Sequence, residues 1–157
     1  MIAQALYYRY MNEITKVIEW DMGHRVPNHK GKCRNPHGHR YRLELTVAGD
    51  VNETTGDSSE GMVADFGDIK ALMLGQIHDA LDHGFMICKD DDVLMTFFNT
   101  HAEHGFKVIV VPFVPTAENI SRWCWERLRK ALPDAIRIVN VRVFETPNSW
   151  ADYRPEA

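Results

Sequence analysis

The chain has 157 residues, of which 45% are hydrophobic and 25% are charged, so its composition predicts one ordinary globular domain spanning residues 1–157. A formal net charge of −4 argues against general nucleic-acid binding, and no apolar run approaches the roughly 18 residues of a membrane helix. Three cysteines at unrelated spacings (Cys33, Cys88 and Cys124) and a start unlike a signal peptide predict a reduced, cytoplasmic protein.

Two predicted strands carry three histidines. Apolar side chains alternate from Lys16 to His24 and again from His37 to Val47, and His24, His37 and His39 are in phase with them. Strand side chains alternate with period two, so the second strand points two imidazoles to one side. With His24 on the neighbouring strand, they predict a three-nitrogen site for a divalent metal, with zinc as first choice. Such a site keeps an open coordination position, as catalytic zinc does.

Cys33 stands just ahead of the paired histidines, and three interpretations of it remain open. Its sulfur could be a fourth ligand that closes a structural zinc site, or an inert buried thiol. It could also be a catalytic thiolate, which the neighbouring Lys32 and Arg34 favour because nearby cations lower a thiol pKa.

The stretch from Met22 to Leu43 has no acidic residue. It contains six cations: Arg25, Lys30, Lys32, Arg34, Arg40 and Arg42. In an acidic protein, such a stretch beside a metal site favours a small anionic substrate, although a merely solvated loop would have the same composition.

The rest of the chain predicts helices and further strands. Asp65 to Ala80 has the i, i+3, i+4 apolar spacing of an amphipathic helix with Asp65 as its N-cap, and Thr116 caps a second helix that ends before Pro133. A strand is predicted at Ile136 to Thr146 and a last one near Asp152, the short apolar run from Val108 to Phe113 could be a further strand, and Lys89 to Gly105 is predicted irregular. The prediction is an α+β fold in ββααββ order, with two helices on one face of a four-stranded antiparallel sheet.

Two polar features interrupt these apolar patterns. Asp82 and His83 end the first helix, where they form an acid–base pair only if the chain leaves helical geometry; otherwise His83 is a histidine stabilised by the helix dipole. Glu145 shares a face with the valines of its strand. Its carboxylate therefore needs a partner, either a flat heterocycle with two parallel N–H donors or simply solvent or an arginine.

Taken together, the motifs resemble those of the 6-pyruvoyl-tetrahydropterin synthase and 6-carboxytetrahydropterin synthase family, from about Lys16 to the C-terminus. They are Gly23-His24-Arg25, Cys33-Arg34-Asn35-Pro36-His37-Gly38-His39, Val63-Ala64-Asp65-Phe66, Leu81-Asp82-His83, Pro115-Thr116-Ala117-Glu118-Asn119 and Phe144-Glu145-Thr146. Appearing in this order they are highly specific, whereas any one alone is not.

The resemblance implies roles for nine residues. They are the zinc ligands His24, His37 and His39, the catalytic base Cys33, the proton relay Asp82 and His83, the pterin anchor Glu145, and Thr116 and Glu118, which line the pocket of a neighbouring protomer. It also implies the tunnelling fold, a homohexamer with active sites between subunits, and a pterin triphosphate as substrate.

Within the family, three residues between Cys33 and His37 resemble the bacterial queuosine-pathway branch. The implied reaction converts 7,8-dihydroneopterin triphosphate to 6-carboxy-5,6,7,8-tetrahydropterin, acetaldehyde and triphosphate. Two alternatives are the sister activity, 6-pyruvoyl-tetrahydropterin synthesis, and a non-catalytic zinc or pterin-binding module with a closed Cys-His₃ site. The chain departs from the compact bacterial pattern in a longer lead, Met1 to Glu13, and a longer segment, Lys89 to Pro115.

Overall fold

The computed structural model describes residues 12–154, so most of the N-terminal lead lies outside the described residues. Its helices and strands are β1 (Asn12–His24), β2 (His37–Gly49), α1 (Phe66–Met73), α2 (Asp79–Leu81), β3 (Gly84–Cys88), α3 (Asp92–Thr100), β4 (Val108–Val111), α4 (Ala117–Ala131), β5 (Arg137–Thr146) and β6 (Ser149–Tyr153). A π-helical turn, Leu74–His78, joins α1 to α2. Within residues 12–154, no helix has the length and apolar character needed to span a membrane.

The strands form one six-stranded sheet in the order β4-β3-β1-β2-β5-β6. The pairs β1/β2, β2/β5 and β5/β6 are antiparallel, whereas β3 is parallel to both β1 and β4. The α+β class is therefore confirmed, but the four-stranded antiparallel sheet in ββααββ order is wrong. The periodicity missed β3 because four of its five residues are buried, so it shows no alternation of apolar and polar residues.

The prediction that the segment from Lys89 to Gly105 is irregular is wrong, because the segment contains α3. The acidic start of this segment is a helix cap, since the Asp91 carboxylate accepts a hydrogen bond from the amide of Leu94. Asp91 is itself buried and forms a bidentate pair with Arg25, which directly follows β1. The cap thus also joins α3 to the end of the histidine-bearing strand.

The core lies between the sheet and the helices. β1 and β2 contribute alternating residues, among them Trp20 stacked on Tyr41 with ring centroids 5.5 Å apart. The predicted helix stripe is confirmed, because Ile69, Met73 and Ile77 are buried in the same cluster, as is Cys124 of α4. Burial raises the pKa of the Cys124 thiol, in keeping with a packing role.

A β-bulge changes the predicted inner face of β5. The pairing with β2 shifts between Thr46 and Val47, so that Asn140 lies opposite Thr46 but Ile138 lies opposite Val47. Val139 is the extra residue, and Ile138 rather than Val139 is buried. Alternation counted from Val141 back along the strand therefore assigned Val139 to the wrong face.

Gly84 is required where the chain leaves α2 and enters β3. A Cβ at this position would lie 2.4 Å from Ile109 Cδ1 and 2.9 Å from the backbone oxygen of Leu81. We expect Gly84→Ala to lower the free energy of unfolding by about 1–3 kcal/mol, as overpacking in a core does. Gly75→Ala is the matched control, since a Cβ there has no neighbour within 4 Å and alanine favours helix. Urea unfolding of both variants measures the difference, and equal stability would contradict the steric argument.

Candidate metal centre

The pairing of β1 with β2 brings three histidines together. His24 lies directly opposite His37, and Met22 lies opposite His39, so all three imidazoles project from the same face of the sheet. The ring centroid of His24 is 4.5 Å from that of His37 and 5.3 Å from that of His39. One ring nitrogen from each residue lies within 4.8 Å of the other two, which is a spacing suited to a shared metal ion.

Backbone carbonyls determine the tautomer of two of these imidazoles. His24 Nδ1 is 2.7 Å from the oxygen of Pro115, and His37 Nδ1 is 2.8 Å from the oxygen of Asn35. A carbonyl oxygen only accepts hydrogen bonds, so each Nδ1 carries the proton and donates it. In the neutral ring, each Nε2 then presents a free lone pair, as a metal-ligating histidine requires.

Burial favours the neutral form of the His24 and His39 imidazoles. His24 is fully buried, and desolvation lowers the pKa of His24 and of His39 even though the carboxylate of Glu145 opposes the shift. The Nε2 atoms of His24 and His39 are buried without a hydrogen-bond partner among residues 12–154. Buried polar atoms of this kind require a partner, and neutral imidazole is the form that binds a metal.

The position of Glu145 also fits a cation. Its Oε1 atom is 3.4 Å from His24 Nε2, and its side chain is only 28% exposed. Because burial favours the neutral ring and the Pro115 contact keeps its proton on Nδ1, a carboxylate oxygen and a nitrogen lone pair face each other. Two facing electron-rich atoms are unfavourable in a desolvated place, and a divalent cation beside them relieves this repulsion. The residues present therefore fit a bound metal.

One other group of potential ligands occurs in the described part of the chain: His101, Glu103 and His104. These residues belong to a single short turn, and none of them is buried. The histidines of β1 and β2 are the better preorganised group, because sheet pairing and backbone hydrogen bonds hold them before any ion binds.

Cys33 lies in the 3₁₀ turn Lys32–Arg34 and is partly exposed. Its backbone oxygen accepts a hydrogen bond of 2.8 Å from the amide of Val26, which ties the turn to the end of β1. The sulfur is not among the atoms that cluster with the three imidazoles. The arrangement therefore favours neither the closed Cys-His₃ site nor the inert buried thiol.

Asp82 and His83 form a direct pair at the end of α2. The chain leaves helical geometry at Asp82, and His83 has φ 56°, in the left-handed region. His83 Nδ1 is 2.6 Å from Asp82 Oδ2, and the amide of Asp21 donates to Asp82 Oδ1 at 3.0 Å. The hydrogen bond from the Asp21 amide, followed by that from His83, lowers the pKa of the Asp82 carboxyl. Asp82 is therefore ionised at neutral pH and orients an imidazole that is 82% exposed.

Two grooves meet at His39 and Arg40. One groove, of about 340 Å³, is lined by these residues together with Glu145 and Arg42. The other, of about 480 Å³, is lined by the same two residues together with His83 and the facing glycines Gly23 and Gly38. The carboxylate of Glu145 and the imidazole of His83 thus lie on either side of one shared wall.

Half of the basic stretch between Met22 and Leu43 is already paired. Arg25 binds Asp91, Arg40 binds Asp21, and Arg42 binds Glu44. The three remaining cations, Lys30, Lys32 and Arg34, have no ion pair within residues 12–154 and surround Cys33 in the loop. They are the residues of this stretch that remain available to an anion.

Thr116 and Glu118 lie at the start of α4, where Thr116 is the N-cap and Glu118 is exposed in the first turn. Neither lines the two grooves of its own chain. Sequence reasoning missed the Pro115 carbonyl and the Asp21 amide, which hold His24 and Asp82. Every residue has a carbonyl, so only the position of Pro115 within its motif gave a signal.

Comparisons with known proteins show which family the chain resembles. A profile of the family described as 6-pyruvoyl tetrahydropterin synthase matches residues 13–156. A protein from Haemophilus influenzae named 6-carboxy-5,6,7,8-tetrahydropterin synthase is 33% identical, over 92% of this chain and 99% of its own length. A Rickettsia bellii protein of the same name is 35% identical, over 90% and 99%. The human protein named 6-pyruvoyl tetrahydrobiopterin synthase is 33% identical, over 80% and 72%.

Solved structures share the fold. An uncharacterised protein from Wolinella succinogenes superposes with a TM-score of 0.78 at 24% identity, over 94% of this chain and 99% of that one. Caenorhabditis elegans 6-pyruvoyl tetrahydropterin synthase superposes with a TM-score of 0.66 at 23% identity, over 94% and 97%. At these identities the likeness supports the α+β architecture alone.

The histidine cluster predicts one tight metal site per chain. We expect His39→Ala to weaken Zn²⁺ binding by at least about 100-fold, more than the loss of an outer-shell partner costs, because one of three nitrogen ligands is removed. His29→Ala is the control, since His29 is exposed and its ring accepts a hydrogen bond from the amide of Gly31 in its own loop. Calorimetric titration of metal-free protein with Zn²⁺ measures the affinity. Equal affinity in the two variants would contradict the assignment.

Proposed function

Because the chain belongs to the 6-pyruvoyl tetrahydropterin synthase family, we propose that it is a zinc-dependent 6-carboxy-5,6,7,8-tetrahydropterin synthase. The proposed reaction converts 7,8-dihydroneopterin triphosphate to 6-carboxytetrahydropterin, acetaldehyde and triphosphate, as a lyase step of queuosine and 7-deazapurine synthesis. One observation carries the proposal. His39 of the histidine cluster, His83 of the Asp–His pair and the half-buried Glu145 line two adjoining grooves.

His24, His37 and His39 would hold the zinc ion, and the neutral tautomers of His24 and His37 support that role. When bound, zinc supplies Lewis-acid polarisation of hydroxyl oxygens, which makes neighbouring C–H protons easier to remove. Burial of His24 keeps its imidazole neutral and available as the surrounding pH falls.

Glu145 would orient the pterin. An ionised carboxylate accepts two parallel N–H bonds from a flat heterocycle, and its two oxygens match that spacing. Its half-buried position makes such a partner more favourable than water. Anchored there, the substrate side chain would lie toward the wall formed by His39 and Arg40, which also borders the groove of His83.

Cys33 and the Asp82–His83 pair would handle the protons. As a thiolate, Cys33 removes a proton from the substrate side chain. Ionised Asp82 accepts a hydrogen bond from His83 Nδ1, so His83 Nε2 is free to take up or release a proton. The imidazolium that forms is stabilised by the carboxylate. Holding both groups beside the same carbons is catalysis by positioning.

The unpaired cations of the loop, Lys30, Lys32 and Arg34, would bind the triphosphate. Phosphate groups attract exposed lysine and arginine side chains, and these three flank Cys33 in the chain. The six-cation stretch predicted an anionic substrate, and the ion pairs of the other three narrow that prediction to this loop.

We further propose a single-domain, cytoplasmic protein that assembles as a homohexamer of the tunnelling fold. Support comes from the exposed imidazole of His83 and from the positions of Thr116 and Glu118, outside both grooves of their own chain. In an assembly with sites between subunits, these two residues would line the pterin pocket of a neighbour.

The sister activity, 6-pyruvoyl-tetrahydropterin synthesis, is the second candidate, and the similarity to the human protein favours it. The two reactions start from the same substrate, and only the first releases acetaldehyde. We expect purified, zinc-loaded protein to release acetaldehyde and triphosphate in equal amounts from 7,8-dihydroneopterin triphosphate. Coupled alcohol dehydrogenase measures the aldehyde and ion chromatography the triphosphate. Triphosphate without acetaldehyde would reassign the chain to the sister activity, and neither product would contradict both.

Cys33 and Glu145 predict separable effects. We expect Cys33→Ala to retain one zinc and pterin binding but to lose at least about 100-fold in turnover, since general-base catalysis contributes that much. Glu145→Gln, with the same size and no charge, is the comparison variant and should weaken pterin binding with zinc content unchanged. Fluorescence titration with a pterin measures the affinity of each variant, and metal analysis measures its zinc content. Full turnover in Cys33→Ala would contradict its role as base.

A further inference from the structure

The turn that holds His83 has an unusual backbone. Asp82 is extended after α2, His83 is in the left-handed region at φ 56°, and Gly84 then begins β3. Residues other than glycine rarely adopt a positive φ. A backbone conformation of this kind persists only where surrounding contacts determine it.

One of those contacts is made by β1. The amide of His83 donates to the oxygen of Asp21 at 2.8 Å, while the amide of Asp21 donates to the Asp82 carboxylate. This exchange attaches the turn to the strand on one side. It leaves the backbone oxygens at the end of α2 without a partner from β1.

Lys107 supplies the contact on the other side. Its ammonium group donates to the backbone oxygen of Asp82 at 2.7 Å and to that of Asp79 at 2.9 Å. These oxygens lie at the negative end of the helical segment, where a cation is favourable. The Lys107 backbone oxygen also accepts the amide of Phe85 at 2.9 Å, so Lys107 contacts the turn both before and after His83.

The stem of Lys107 lies against the turn. Its Cγ lies 3.5 Å from the place where a Cβ of residue 84 would stand, so the side chain runs along the bare backbone of Gly84 to reach the helix end. The side chain is otherwise exposed, so Lys107 holds the turn through its two hydrogen bonds.

We propose that Lys107 is a positioning residue for the Asp82–His83 pair, holding the turn so that His83 Nδ1 stays bonded to Asp82. The inference rests on the proposed function in one respect, the proton-transfer role of His83. Lys107 itself contacts the turn and the residues on either side of it, Asp79 and Phe85. It comes from the long segment between β3 and α4, which thereby takes part in organising the site.

The test compares Lys107→Met with wild-type protein, and with Lys107→Arg, whose guanidinium can still donate to both oxygens. Lys89→Met is the matched control, since Lys89 is exposed at the start of the same segment. Two-dimensional ¹H–¹⁵N spectra of labelled histidine report the His83 tautomer without any turnover. We expect a fixed Nδ1–H form in wild type, Lys107→Arg and Lys89→Met, and mixed tautomers in Lys107→Met.

With the pterin substrate we expect kcat of Lys107→Met to fall roughly 10- to 100-fold, as small misplacements of catalytic groups do, and KM to change no more than about twofold. An unchanged His83 tautomer in Lys107→Met overturns the proposal whatever the turnover. A changed tautomer with unchanged kcat supports the positioning and instead contradicts the relay role of His83. If Lys107→Met does not fold, Lys107→Gln, which removes the charge and shortens the side chain, replaces it, and an unchanged His83 tautomer there overturns the proposal.

Discussion

The register between β1 and β2 is the constraint on which the site depends. Slipping the pairing by one residue would turn every side chain of one strand to the opposite face and separate His24 from His37 and His39. The same slip would expose Ile18 and Trp20, each of which gains about 1.5–3 kcal/mol from burial. The hydrophobic core therefore enforces the positions of the ligands, and the metal site needs no separate device to assemble it.

Much of this architecture can be predicted from the sequence wherever one face of a strand or helix is buried and the other is exposed to solvent. β1, β2 and most of β5 alternate, α1 and α4 have apolar stripes, and Asp65 and Thr116 cap their helices as predicted. The exceptions have a common cause. β3 is buried on both sides and has no alternation, while the β-bulge at Val139 shifts a periodicity that was otherwise correct. Local patterns cannot reveal either, because both depend on what neighbouring strands do.

The candidate site also contains residues that the sequence predicts and supporting groups that it does not. Its histidines belong to motifs, and so do Asp82, Glu145 and Cys33. Their supports do not, because the oxygen of Pro115 and the amide of Asp21 are backbone groups that every residue has. The pair of Arg25 and the buried Asp91 joins positions 66 residues apart in the chain, a separation at which no periodicity operates. The motifs thus predict the reactive side chains, whereas the groups that hold them in place can be identified only from the folded structure.

The π-helical turn between α1 and α2 sets the rotational phase of the helical residues after it. Three successive steps of four residues separate Ile69, Met73, Ile77 and Leu81, and a regular α-helix of 3.6 residues per turn would rotate such a row steadily off its face. The wider turn absorbs the excess, so Leu81 stays inward. Loss of one residue there would restore a regular helix and swing the downstream end by about 100°. The positions of Asp82 and His83 after this helical segment therefore depend on its number of residues as closely as on their identity.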